Sequence, residues 1–189
     1  MKNGELQSNF RLGLIALGPL SEVAVRVVAA NLQAVLKLPV EALPPQGIPE
    51  SAFQKHRQQY DAGLIIKQLS AGPFHDYLKI AAVTSVDLCI PILTYVFGEA
   101  EMGGKVAVIS DFRLRHNEDG SLAPLDIYYE RLAKVALHEV AHTFTLYHCD
   151  SPTCLMHYCS KVRQLDQIEL FFCSRCEFML EENLKSCIS

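Results

Sequence analysis

Short apolar runs alternate with amphipathic segments along the first two thirds of the chain. Residues 11–17 are almost wholly apolar and predict a buried strand. Residues 78–86 and 105–111 have the same character and predict two more strands. Ser21 precedes a segment with apolar residues at helical spacing, which predicts a capped helix that ends near Leu36. Strands that alternate with helices favour an α/β layering.

Two segments between these elements have a less regular pattern. Prolines break the stretch after the first helix into a short strand and loop, at Pro39, Pro44, Pro45 and Pro49. Residues 51–70 are predicted to be mostly helical, with a loop around residues 61–63. Residues 92–100 fit a helix or a strand, and the pattern leaves that choice open.

The second half of the chain has two clear helical patterns. A polar loop over residues 114–121 is followed by a long helix, which is expected to begin near Pro124 because proline is favoured in a first turn. The apolar residues of this helix recur as far as Val140. A last helix is predicted from Ser174 to about Leu184.

The composition is that of a globular chain. Half of the 189 residues are hydrophobic and a fifth are charged, which suits one domain with its own core. The net charge is −4 and no basic stripe is present, so neither a nucleic acid nor an anionic membrane is an expected partner. A polar N-terminus and the lack of a long apolar run predict neither a signal peptide nor a membrane span, hence a cytoplasmic protein.

The predicted long helix carries a His-Glu-Val-Ala-His motif at residues 138–142. Four helical residues advance about 400°, so His138 and His142 lie on nearly one face, about 6 Å apart along the axis. Two imidazoles in that arrangement are able to share one metal ion. Glu139 lies about 100° round from His138, beside the metal, where a carboxylate suits the role of a base for a metal-bound water.

His148 is the candidate third ligand. A continued helix would carry it about 15 Å beyond His138. It reaches the same metal only if the helix stops soon after His142 and the chain folds back. Three neutral imidazoles leave zinc an open position for water, which is the catalytic arrangement.

Six of the seven cysteines follow residue 148, and four of them form two closely spaced pairs: Cys149, Cys154, Cys173 and Cys176. Four thiolates at such spacing suit a closed tetrahedral zinc site with a structural role. Cys159 is a competing ligand because it lies only five residues after Cys154. Two disulfides or free thiols are the alternative to zinc. Cys89 is expected to be buried, and Cys187 to be exposed.

The motifs together resemble a known family. A histidine six residues after H-E-x-x-H is the metzincin pattern. The run from His138 to Cys176, with cysteines directly after the third histidine, is similar to the archaemetzincin family of zinc metallopeptidases. Residues 96–100 and 106–110 also resemble that family, and the resemblance is strongest over residues 92–178.

This resemblance implies an α/β (α+β) fold: a minimal metzincin, zincin-like domain with a mixed twisted sheet and an active-site helix. It implies a single domain, with an N-terminal subdomain at residues 1–147 and a C-terminal subdomain at residues 148–189. The C-terminal subdomain would contain the four-cysteine zinc site, with Cys154 rather than Cys159 as ligand. The strand at residues 105–111 would line the cleft as an edge strand and pair with extended substrate.

The resemblance also implies roles for single residues. A catalytic zinc would be bound by His138, His142 and His148, and a second, structural zinc by the cysteines. Glu139 would be general base and acid. Met156 would be the Met-turn residue and would pack beneath the zinc ligands.

The geometry of the site also depends on Thr145 and Tyr158. Metzincins usually have glycine three residues after the second histidine, where this chain has Thr145; a β-branched residue is strained at positive φ, which puts the turn to His148 in question. Tyr158, two residues after Met156, either donates its hydroxyl to the developing oxyanion or packs with its hydroxyl at the surface. His157 is expected to be a surface or supporting residue rather than a ligand.

Three functions are compatible with these motifs. The first is a monomeric zinc metallopeptidase that hydrolyses peptide bonds through a zinc-bound water, with Glu139 as general base and then acid. The second is a catalytically inactive zinc protein that recognises peptides or acts as a scaffold, which the intact Glu139 disfavours. The third is a metal hydrolase that acts on a non-peptide amide.

Overall fold

A computed structural model describes residues 10–188 of the chain. The helices of this part are α1 (Glu22–Leu36), α2 (Ala62–Ser70), α3 (Leu125–Thr143), α4 (Val162–Leu165) and α5 (Ser174–Ile188). The strands are β1 (Leu12–Leu17), β2 (Val40–Ala42), β3 (Phe53–Gln54), β4 (Gln59–Asp61), β5 (Lys79–Thr84), β6 (Leu88–Ile90), β7 (Leu93–Val96), β8 (Gly98–Ala100) and β9 (Val106–Ser110).

The larger sheet has the strand order β2-β1-β5-β9-β8 and is mixed. The pairs β1–β2, β1–β5 and β5–β9 are parallel, whereas β8 pairs with β9 in the antiparallel direction. Every residue of β5 and β9 is buried, because helices cover both faces of the sheet. The predicted α/β layering is therefore confirmed.

Helices α1 and α3 pack together on one face of this sheet. The α1 helix begins where the Ser21 hydroxyl accepts the N–H of Val23, as its sequence predicts. Its buried residues recur every four positions, at Ala24, Val28, Leu32 and Leu36. Helix α2 covers the opposite face and contributes Ile65 and Ile66 to a second core. The apolar face of α3 thus packs against the sheet, which fixes the position of the helix.

The predicted helix at residues 51–70 is wrong over its first half. Residues 53–61 form β3, a tight turn and β4, in a second sheet of order β3-β4-β6-β7. Gln58 has a φ of 55° in the turn, which a helix does not allow. Only residues 62–70 are helical, and the helix begins where the Asp61 carboxylate accepts the N–H of Leu64 at 3.2 Å. The loop predicted around residues 61–63 corresponds to the start of this helix, where Asp61 is the N-cap.

The predicted edge strand is also wrong. Strand β9, which covers most of residues 105–111, lies inside the sheet between β5 and β8. The edge is β8, which follows directly after β7, so the unassigned segment 92–100 consists of two strands. Hydrophobicity identifies β9 as a strand, but the pairing order depends on contacts with distant segments.

The segment after α3 contains little regular structure until α5. It makes a compact turn through residues 149–158, then the short helix α4, which the sequence did not predict. The last helix begins at Ser174 as predicted and is longer than predicted, since it ends at Ile188. Within the described residues, no helix is both long and apolar enough to cross a bilayer. The prediction about a signal peptide concerns residues 1–9, which lie outside the described residues.

Candidate active site

The three histidines of the predicted zinc site lie together. One ring nitrogen of each of His138, His142 and His148 lies within 4.8 Å of the others. The Nε2 atoms of His138 and His142 are 3.1 Å apart, close to the spacing of about 3.3 Å that two ligands have on a tetrahedral zinc. The helical spacing of the motif thus produces the predicted pair.

Backbone carbonyls orient the first two rings. The Nδ1 of His138 lies 2.8 Å from the Leu155 oxygen, and the Nδ1 of His142 lies 2.6 Å from the Leu146 oxygen. Each Nδ1 therefore carries the proton, so both Nε2 atoms present lone pairs towards one another. Two lone pairs at 3.1 Å repel unless a cation lies between them, so this donor set fits a zinc ion.

Burial keeps the three rings neutral. It lowers the pKa of His138 to about 3, and the positive charge of a protonated His142 would lower it further. Burial also lowers the pKa of His142 and of His148. Neutral imidazole is the form that binds metal, so these rings need no deprotonation at neutral pH.

The turn from α3 to His148 uses threonine where glycine is usual. Thr145 has a φ of 65°, in the left-handed region. The N–H of Thr145 donates to the His142 oxygen, and the N–H of Leu146 donates to the Ala141 oxygen. These two bonds are those of a Schellman motif. The chain therefore folds back after Phe144 despite the β-branched side chain, and His148 reaches the other two histidines.

Donors from distant parts of the chain cap the end of α3. The Lys79 ammonium, which is buried, donates to the oxygens of Thr143 at 2.7 Å and of Gly104 at 2.6 Å. The Gly103 N–H donates to the His142 oxygen, and the Asn183 amide donates to the Phe144 oxygen. Strand β5, the β8–β9 loop and α5 thus all fix the position of the turn.

Glu139 is buried beside the histidines and close to the edge strand. Only 9% of its surface is exposed. A Cβ atom at Gly98 would lie 2.5 Å from the Glu139 Cγ atom, so glycine leaves the space that this carboxylate occupies. Burial raises the pKa of Glu139 well above its ordinary value, and the negative charge of Glu99 raises it further.

A cleft of about 430 Å³ opens in front of the histidines. Its walls include the edge strand β8 and the segment from residue 157 to residue 160. Tyr95 joins the two walls, because its hydroxyl donates to the Ser160 oxygen at 2.6 Å. A space of this size takes a few side chains of an extended peptide.

The other predicted residues of this region lie near the cleft. The Tyr158 ring centroid is 5.2 Å from that of His148, and 47% of Tyr158 is exposed. His157 lies 3.1 Å from the Cys149 oxygen through Nδ1 and is absent from the histidine cluster. Met156 is fully buried, and its carbonyl oxygen accepts the N–H of Cys149.

The four predicted cysteines form a second cluster. The Sγ atoms of Cys149, Cys154, Cys173 and Cys176 all lie within 4.8 Å of one another. The distance of 3.8 Å between Cys149 and Cys173 matches two thiolates on zinc and is far too long for a disulfide. The N–H of Cys176 lowers the pKa of Cys173 to about 7, which favours the ligating thiolate.

The remaining cysteines stand apart from this cluster. Cys159 lines the cleft instead, and burial raises the pKa of its thiol to about 11. Cys89 is buried and Cys187 is exposed, as the sequence predicts. Within residues 10–188 the structure therefore brings together the four cysteines that were predicted as ligands, and not Cys159.

Comparison with known proteins identifies the family. The sequence profile of peptidase family M54 matches residues 20–182. The chain belongs to peptidase family M54. It is a zinc-dependent metallopeptidase, whose substrates are peptides or proteins.

Relatives of this M54 peptidase are similar along nearly their whole length. The archaemetzincin of Haloquadratum walsbyi is 34% identical over 170 residues, which cover 88% of this chain and 97% of the relative. The crystal structure of archaemetzincin from Methanopyrus kandleri has a TM-score of 0.82 at 31% identity, over 95% of this chain and 97% of the other. Archaemetzincin from Archaeoglobus fulgidus, complexed with malonate, has a TM-score of 0.78 at 30% identity, over 89% and 99% of the two chains. The fold class is thereby confirmed.

The sequence analysis missed several residues that shape the M54 site. Gly98 makes room for Glu139, and Lys79 caps the end of the active-site helix. Lys134 lies one helical turn before His138 and lines the cleft. Its position four residues before the motif was a usable signal, because that spacing puts it on the histidine face of the helix.

Proposed function

We propose that the chain hydrolyses peptide bonds at a zinc ion held by His138, His142 and His148. Zinc in this site supplies a Lewis acid that polarises the substrate carbonyl and lowers the pKa of a water to about 7. The observation that carries the proposal is the convergence of three neutral imidazoles within 4.8 Å, next to the buried carboxylate of Glu139.

Glu139 takes the proton of the attacking water and passes it to the leaving nitrogen. Its raised pKa supports this role, because burial that raises the pKa of a carboxyl group makes its carboxylate a stronger base. A glutamate in this position has no evident use in a scaffold protein, so its burial against Gly98 supports catalysis.

The substrate backbone pairs with the free edge of β8. This strand has a partner on one side only and forms a wall of the cleft. Antiparallel pairing is slightly more stable per residue than parallel pairing, so we assign the peptide the direction opposite to that of β8. The residues after the scissile bond then lie towards Tyr95 and Phe97, and the residues before it lie towards Met102.

Tyr158 supports the oxyanion that develops on the carbonyl. Its ring lies beside His148 at the cleft, and its exposed position leaves the hydroxyl free to turn towards bound substrate. The role requires a movement of one side chain and no change in the fold.

A second zinc ion, held by Cys149, Cys154, Cys173 and Cys176, has a structural role. It joins the residues next to His148 to the start of α5, so the C-terminal subdomain (residues 148–189) braces the N-terminal subdomain (residues 1–147) with its active-site helix. Cysteines that bind zinc rather than form disulfides fit a reducing compartment, which supports action in the cytoplasm. The cleft is complete within one chain, which supports a monomer.

The experiment that tests the proposal combines metal content with turnover. Elemental analysis of protein purified without added metal should give two zinc ions per chain. A mixture of peptides should be cleaved by this protein, and Glu139→Gln should retain both zinc ions and lose at least about a hundredfold in kcat. Equal cleavage by the two proteins would refute the mechanism, and one zinc ion per chain would refute the presence of two occupied sites. Cleavage of non-peptide amides alone would favour a different hydrolase.

A further inference from the structure

A buried lysine forms part of the wall of the substrate cleft. Lys134 is only 2% exposed, and it is among the largest fully buried side chains of the described chain. It lies on α3 four residues before His138, so Lys134, His138 and His142 form one stripe along the helix. The Lys134 side chain therefore lines the same cleft as the metal site, about one helical turn away.

The Lys134 ammonium is incompletely satisfied by the protein. It donates to the Leu165 oxygen at 2.9 Å and pairs with the Glu130 carboxylate at 2.6 Å. An ammonium has three N–H donors, so these two partners leave one donor unused. The side chain of Glu130 is 50% exposed, so water competes with it for the lysine and weakens this pair.

The carboxylates of Glu99 and Glu139 also line the cleft, and neither forms an ion pair with Lys134, whose partner is Glu130. The lining residues around Lys134 are mostly apolar, including Phe97, Val135 and Leu165. Cys159 is the nearby thiol, and its pKa of about 11 keeps it uncharged at neutral pH. Within the described chain, Lys134 is the one lysine or arginine that lines the cleft.

The direction of the substrate decides which of its residues meets Lys134. The Tyr95 hydroxyl donates to the Ser160 oxygen, so Tyr95 stands at the same end of the cleft as residues 160–165. Leu165, the acceptor of Lys134, belongs to this end. Antiparallel pairing with β8 puts the residue after the scissile bond there.

We propose that Lys134 makes the cleft selective for peptides with a carboxylate side chain, glutamate above all, at the residue that follows the scissile bond. The third N–H of Lys134 donates to that carboxylate, while the apolar walls pack against its methylene groups. This inference rests on the proposed function of the same cleft, and it names a class of substrate for that function.

The test measures affinity rather than turnover. Three peptide hydroxamates, which chelate the zinc, differ only in the side chain at this position: glutamate, glutamine or leucine. Calorimetric titration of the zinc-loaded protein should show the glutamate compound binding about tenfold more tightly than the glutamine compound, because a hydrogen bond to a charged group is stronger than one between neutral groups. Equal affinities, or no binding of the glutamate compound, would overturn the proposal.

Two variants should shift this ratio in opposite directions. Lys134→Met should abolish the preference and make the leucine compound the tightest ligand. Glu130→Gln removes the competing carboxylate and should increase the ratio of glutamate to glutamine affinity. If Lys134→Met fails to fold, the Glu130→Gln ratio alone decides, and an unchanged or smaller ratio refutes the proposal. Lys161→Met removes one exposed charge outside the lining of the cleft and should leave the ratio unchanged.

A parallel cleavage assay separates this inference from the proposed function. Peptides with glutamate, glutamine or leucine at the same position are incubated with the protein and with Glu139→Gln. The expected affinity order without cleavage would count against the proposed function and leave the assignment of Lys134 intact. Cleavage of all three peptides at one rate, with equal hydroxamate affinities, would support the proposed function and refute the assignment of Lys134.

Discussion

The ammonium of Lys79 donates a hydrogen bond of 2.7 Å to the carbonyl oxygen of Thr143, at the last turn of the active-site helix. The two residues are 64 positions apart in the sequence. A positive charge at a helix C-terminus interacts favourably with the helix dipole, and here it also satisfies a carbonyl that the helix leaves free. The bond therefore stabilises the helix end from which the chain turns back to the third histidine.

Replacing Lys79 with methionine should destabilise the protein by about 3 kcal/mol. The variant removes two charge-assisted hydrogen bonds and leaves the oxygens of Thr143 and Gly104 without this donor. Urea unfolding measures the change. Lys67→Met is the matched control, because Lys67 is exposed on α2 and its loss should cost under about 0.5 kcal/mol. Similar values for the two variants would contradict the capping role.

Replacing Thr145 with glycine should stabilise the protein by about 1 kcal/mol. Thr145 adopts a φ of 65°, which glycine adopts without a steric cost. Thermal unfolding should show a higher Tm, and the zinc content should not change.

Two further variants check this interpretation. Thr145→Ala keeps a Cβ atom at positive φ and should therefore gain less than the glycine variant. Gly103→Ala introduces a Cβ atom at a φ of 66°, 3.1 Å from the Thr145 hydroxyl oxygen, and should lower stability. A loss of stability in Thr145→Gly would mean that contacts of the threonine side chain outweigh its backbone strain.

Replacing Gly98 with alanine should lower kcat while leaving the zinc content unchanged. The new Cβ atom would lie 2.5 Å from the Glu139 Cγ atom and 2.8 Å from the Val108 carbonyl oxygen, so the carboxylate must shift. Displacement of a general base by about 1 Å costs up to about a hundredfold in rate. Gly47→Ala, which meets nothing within 4 Å, is the control. Full activity in Gly98→Ala would show that Glu139 tolerates displacement.

Replacing Cys176 with serine should lower the zinc content by one ion per chain. The variant removes a buried ligand of the four-cysteine cluster and should expose α5 to proteolysis, since structural zinc sites contribute about 10–16 kcal/mol of apparent binding energy. Cys187→Ser changes an exposed thiol outside the cluster and should retain all the zinc. Unchanged metal content in Cys176→Ser would argue against a four-cysteine site.

Local patterns in the sequence were enough to predict the parts of the site that depend on local geometry. His138 and His142 lie four residues apart on one helix, and Cys173 and Cys176 lie in one turn, so spacing alone brings their ligand atoms close. The apolar runs of β1, β5 and β9 were equally clear, because strands buried on both faces are apolar throughout.

The features that the sequence did not predict depend on distant pairings. The order of strands in a sheet is set by contacts between segments, so β9 was placed at the edge that β8 occupies. Residues 53–61 form strands because β4 pairs with β6, almost thirty residues later. In the sequence, nothing distinguishes Lys79 from other residues at the start of a strand. Its capping role depends on the folded structure, in which the strand lies beside the end of α3.

One cap at the end of α3 comes from a part of the chain that is synthesised after the histidines. The carbonyl of Phe144, next to the left-handed turn, is satisfied by Asn183, a residue that leaves the ribosome about forty positions later. The last two cysteines of the second cluster, which braces the chain beside His148, also emerge after the histidines. A nascent chain that already carries the complete histidine motif therefore still lacks the groups that hold His148 in place. The position of His148 therefore depends on groups that are synthesised after the histidine motif itself.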